Sequence, residues 1–161
     1  MGSNDLVRIL LVDDDEDCRM LVRDAMKQGR IMNEVYEASS GEEALEFLYR
    51  RGRHADAPEV GQIYLDIDMP GMSGQDLLKI LRADGKFEKV PIVMMTSLRD
   101  DREKEEAAKA GANSYTIKPT EPVEFMRSVI ETTHYWIGIH QRPSGLVWEL
   151  HAARVGGREQ A

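Results

Sequence analysis

Five short apolar runs, each followed by a helical pattern, constrain this chain more than any other feature of its sequence. Arg8–Val12 (RILLV), Asn33–Ala38 (NEVYEA), Gln62–Asp66 (QIYLD), Val90–Ser97 (VPIVMMTS) and Asn113–Pro119 (NSYTIKP) read as strands. Between them apolar residues recur at helical spacing: Cys18, Leu21, Val22, Ala25 and Met26, then Ala44, Leu45, Phe47 and Leu48. Gly74–Ala83 and the heavily charged Arg99–Gly111 follow as the third and fourth helices. A last helix from about Thr120 carries Met126, Val129, Ile130, Thr133, Trp136 and Ile137 on its apolar face. Such alternation requires parallel strands joined by right-handed crossovers, with helices on both faces. Runs such as IVMM, apolar at every position, fit a sheet buried on both sides. The expected fold is α/β, a doubly wound five-stranded parallel sheet.

In sheets of this kind, sites form outside the carboxyl ends of the strands, near the topological switch point. The residues delivered there are Asp13 and Asp14, Asp66, Thr96 with Ser97, and Lys118. Carboxylates gathered at one edge repel one another unless a cation lies among them. Mg2+ suits such oxygen donors, since it is held by one or two carboxylates together with waters and a phosphate. A carboxylate nucleophile, a hydroxyl and an amine around that cation describe phosphoryl transfer onto an aspartate.

Composition excludes several other classes. The 161 residues suffice for one core, and the formal net charge of −8 argues against a nucleic-acid partner. RRGR, Arg50–Arg53, has no interleaved aromatic residues and reads as a solvated loop. No apolar run reaches the roughly 20 residues of a bilayer span, and the first residues lack a secretory pattern, so a cytoplasmic protein is expected. The four histidines show no pairing suited to a metal, and Cys18, the single cysteine, lies in register with the first helix as a core thiol. Asp15, Glu16 and Asp17 read as a solvated acidic helix start.

The segments LLVDDDED, LDIDMPGMSG, PIVMMTS and GANSYTIKP, in this order and spacing, resemble the receiver domains of two-component response regulators. The resemblance covers roughly Leu6–Ile139. It implies a flavodoxin-like sheet of strand order 2-1-3-4-5, and Asp66 as acceptor of a phosphoryl group from a sensor histidine kinase or histidine phosphotransfer protein. Asp13, Asp14 and Asp66, with the backbone carbonyl of Asp68, would hold Mg2+. Thr96 would hydrogen-bond the phosphoryl group and Lys118 would pair with it. Thr96 and Tyr115 would switch on phosphorylation, altering the face made by the fourth helix, fifth strand and fifth helix, through which a partner or a second copy would dock. A cis Lys118–Pro119 peptide is also implied.

Three features depart from the family's commonest pattern. The loop Arg50–Gly61 is long, Asp68 and Leu98 stand where the family tunes hydrolysis, and the tail is short, with three arginines against two glutamates. Bulky Leu98 is expected to hinder water and prolong the phosphorylated state. The expected organisation is a leader at 1–5, a receiver domain at 6–140 and a tail at 141–161. That tail leaves no room for a DNA-binding output domain, and a single-domain regulator, not a turnover enzyme, is expected. The last helix, with its HYWI sequence, resembles single-domain receivers paired with phytochrome-like kinases. Two alternatives are a phosphorylation-independent scaffold and, from Asp66-x-Asp68, a phosphatase of haloacid-dehalogenase type.

Overall fold

The computed structural model describes residues 6–96, 105–106, 108–117 and 121–140. Strands β1 (Ile9–Val12), β2 (Val35–Ala38), β3 (Gln62–Asp66), β4 (Ile92–Thr96) and β5 (Ser114–Ile117) form one sheet in the order β2-β1-β3-β4-β5. Every pairing is parallel, with Ile9 opposite both Val35 and Gln62, Asp66 opposite Met95, and Thr96 opposite Ile117. The expected fold and strand order are both present.

Helices α1 (Glu16–Gln28), α2 (Gly41–Leu48) and α3 (Gly74–Ala83) and a last helix, Pro122–His140, cover the two faces. Because strand side chains alternate, Leu10, Val12, Ile63, Leu65, Ile92 and Met94 point to one face, where Phe47 of α2 and Leu77 and Leu81 of α3 close over them. Ile9, Leu11, Tyr64, Val93 and Met95 point to the other, beneath Val22 and Met26 of α1 and Phe125, Val129 and Trp136 of the last helix. Burial on both faces is why β1 and the middle of β3 and of β4 are apolar.

Cys18 is buried on the sheet side of α1, as its register predicts. In the last helix Met126 packs half-buried against the core as expected, and its neighbour Phe125, outside the expected stripe, is buried more deeply. Helix capping follows local chemistry. Asp15 and Ser40 accept from Asp17 N–H and Glu43 N–H, and Ser73 and Asp76 form a capping box at α3. Glu121 accepts from the amides of Val123 (3.2 Å) and Glu124 (3.0 Å), with Pro122 in the first helical position. Beneath the last helix the Tyr64 hydroxyl meets that of Thr133, and burial pushes the Tyr64 phenol well above its ordinary pKa.

The long loop after α2 is tied back to it. Glu43 accepts from Arg53 Nη2 at 2.8 Å and lies 3.1 Å from His54 Nε2. The expected leader, tail and most of the fourth helix lie outside the described residues, as do Leu98, Lys118 and the Lys118–Pro119 peptide. No helix among the described residues is long and apolar enough to cross a membrane.

Candidate functional site

Main-chain bonds fix the carboxyl edge of the sheet before any side chain takes part. As β1 ends, Asp13 N–H donates to the Ala38 carbonyl at 3.1 Å, and as β3 ends, Ile67 N–H donates to the Met95 carbonyl at 3.0 Å. These bonds bring Asp13, just past the end of β1, beside Asp66 at the end of the neighbouring β3, the central strand. The Asp13 carboxylate accepts from Asp15 N–H at 2.9 Å, which leads the chain directly into the acidic first turn of α1.

The turn after Asp66 requires glycine twice. Gly71 has φ +74°, a left-handed conformation that suits a residue without a Cβ. Gly74 donates its N–H to the Ile67 carbonyl at 3.1 Å, and a Cβ on it would lie 2.1 Å from the Asp66 carbonyl oxygen. Only glycine lets α3 start this close to the end of β3. Asp66 Oδ1 also accepts from Asp68 N–H at 3.2 Å, so the loop folds back on the carboxylate it follows.

Carboxylate oxygens of Asp13, Asp14 and Asp66 all lie within 4.8 Å of one another. Asp13 and Asp66 are buried, at 0% and 3% exposure, while Asp14 faces solvent. Two like charges out of water at this separation repel each other in a low-dielectric setting. The donor set is entirely hard oxygen and open on the Asp14 side, which fits a small divalent cation that retains waters. Among the described residues no histidine or sulfur joins it, so a softer metal is not favoured.

Thr96 ends β4 fully buried, and its hydroxyl lies 3.4 Å from Asp68 Oδ2, a long contact. The exposed Asp68 side chain therefore reaches toward the same hydroxyl that the sequence places at the site. Tyr115 stands on β5 opposite Met94, while Lys118 lies outside the described residues. Sequence reasoning missed Arg19, whose Nη1–H donates to the Asp13 carbonyl at 2.6 Å. Its helical position on α1, one turn past the acidic start, was the available signal.

A family model described as the response regulator receiver domain matches residues 9–130. The chain belongs to the response regulator receiver family. Chemotaxis protein CheY1 of Helicobacter pylori strain J99 is 35% identical over 116 residues, which span 72% of this receiver chain and 88% of that protein. Among solved structures, the phosphorylated cyanobacterial phytochrome response regulator RcpA aligns with a TM-score of 0.77 over 82% of this chain and 94% of its own, at 22% identity. The bacteriophytochrome response regulator AtBRR aligns at 0.68 over 79% and 91%, with 28% identity. These matches place the protein in two-component signalling and lend no support to the phosphatase or scaffold alternatives.

Proposed function

We propose that this receiver accepts a phosphoryl group on Asp66 from a phosphohistidine of a sensor histidine kinase or phosphotransfer protein. The observation that carries the reading is the convergence of Asp13, Asp14 and Asp66, whose carboxylate oxygens lie within 4.8 Å of one another at the carboxyl edge of the sheet. An oxygen of Asp66 attacks phosphorus as the P–N bond of the donor breaks, and the imidazole leaves. Asp13, Asp14, Asp66 and the Asp68 carbonyl hold Mg2+, which supplies neutralisation of charge on the transferring phosphoryl oxygens. Burial of Asp13 and Asp66 supports this, since water is kept from one side of the reacting carboxylate.

Thr96 donates its hydroxyl to the phosphoryl group, giving up its long contact to Asp68, and Lys118 pairs with the new charge. Movement of Thr96 and a rotamer change of Tyr115 alter the face of the fourth helix, fifth strand and fifth helix, where a partner or second copy docks. The chain catalyses its own phosphorylation and dephosphorylation in the cytoplasm without turning over a separate substrate. The 28% identity with a bacteriophytochrome response regulator supports a phytochrome-class kinase as the first donor to test.

Intact mass after incubation with acetyl phosphate, with and without Mg2+, tests the reading on wild type and Asp66→Asn. The expected result is one phosphate gained only with Mg2+ and only by wild type. A gain retained in Asp66→Asn, or no gain at all, overturns the assignment.

A further inference from the structure

Arg19 touches the acidic site from behind. Its Nη1–H donates to the Asp13 carbonyl at 2.6 Å, and its Nε–H donates to Glu37 Oε1 on β2 at 2.9 Å. Arg23 Nη1 holds the other oxygen of Glu37 at 2.5 Å. The Arg19 side chain, 15% exposed, is thus fixed from two directions by a planar fork that a lysine cannot reproduce. Asp13 in turn is held at three points: its N–H by the Ala38 carbonyl, its carboxylate by the Asp15 amide and its carbonyl by Arg19.

A guanidinium beside a cation site opposes simple electrostatics, because its charge disfavours a divalent ion. What it gains for the site is geometry. We propose that Arg19, oriented by Glu37, is a positioning residue that sets Asp13 for divalent-cation binding. The inference rests on Asp13, Asp14 and Asp66 binding Mg2+, as argued above. Groups that orient a ligand from behind commonly change metal affinity about 10-fold or more when removed.

Charge and geometry predict opposite signs, so calorimetric titration of Mg2+ into the full chain separates them. Arg19→Met is expected to weaken binding about 10-fold. Arg23→Met, which removes the same charge from the same glutamate without touching Asp13, is expected to leave affinity unchanged or slightly tighter. In the acetyl phosphate reaction Arg19→Met should require more Mg2+ yet reach the wild-type extent of labelling at saturation. Should Arg19→Met fail to fold by circular dichroism, Arg19→Lys, which keeps the charge and loses the fork, is expected to show the same weakening. Equal or tighter Mg2+ binding by the folded Arg19 variant, or an equal loss in Arg23→Met, overturns the inference while leaving the Mg2+ site intact. A wild-type chain without saturable Mg2+ binding overturns both.

Discussion

The two ends of the sheet are built on opposite principles. At the carboxyl edge, like-charged Asp13, Asp14 and Asp66 are brought within 4.8 Å of one another. At the amino edge, several side chains meet complementary partners. Arg82 donates to the carbonyls of Gly111 (2.8 Å) and Phe87 (2.6 Å) and to Asn113 Oδ1 (2.6 Å), which also accepts from Ile92 N–H at 2.8 Å. Tyr49 donates to Asp84, and Asn33 donates to the Val7 carbonyl. One end braces the fold through such pairs, and the other gathers like charges at one edge.

The largest test of this contrast is a methyl group. Gly74→Ala would drive a Cβ against the Asp66 carbonyl, whereas Gly85 at the amino edge has nothing within 4 Å of its Cβ position. Chemical denaturation should show a loss of about 3 kcal/mol for Gly74→Ala, with no comparable loss for Gly85→Ala. Equal effects would erase the distinction. Next in size, Arg82→Met strips the amino edge of its bridging donors and should cost about 2 to 3 kcal/mol in the same measurement, while Mg2+ affinity stays at the wild-type value.

Asp13→Asn should act in the reverse sense. Removing one of the crowded charges is expected to raise the stability of the cation-free protein by about 1 kcal/mol and to abolish saturable Mg2+ binding. A destabilised Asp13→Asn would mean that the acidic edge is not under repulsion. The smallest effect lies at the clasp on the long loop. Burial pushes the Glu43 carboxyl up, but hydrogen bonds from the Ser39 amide, His54 and the Ser39 hydroxyl, with the Arg53 charge, outweigh it and hold the group below its ordinary value of 4.5. A depressed carboxyl stabilises the fold above its unfolded pKa, and that contribution is lost as pH falls through the folded value. Thermal melts between pH 6 and pH 3, read at roughly unit steps, should show Glu43→Gln losing less stability on acidification than wild type.

Part of the carboxyl edge was legible because β3 and β4 end on candidate site residues. Asp66 and Thr96 close apolar runs, so strand position alone placed both at the carboxyl edge of the sheet. Contacts made by long side chains across distant segments left no such trace. Arg19 and Glu37 lie 18 residues apart, and Arg82 and Asn113 lie 31 apart, and periodicity sees each only as a charged or polar residue on a surface. Phe125 and Met126 are neighbours on the edge of one helical stripe, and the 3.6-residue period could not choose between them. Both pack beside α1 and the sheet, Phe125 the more deeply.

Glu37 has a consequence beyond the acidic site. It lies on β2, a four-residue strand at the border of the sheet whose other residues are Val35, Tyr36 and Ala38. An exposed border strand is a template on which another chain can add, and a fixed charge is a common safeguard against that. Two arginines anchor Glu37 there, keeping a carboxylate in a segment that would otherwise be suited to edge-to-edge aggregation. The same ion pairs that brace the first helix therefore also protect solubility.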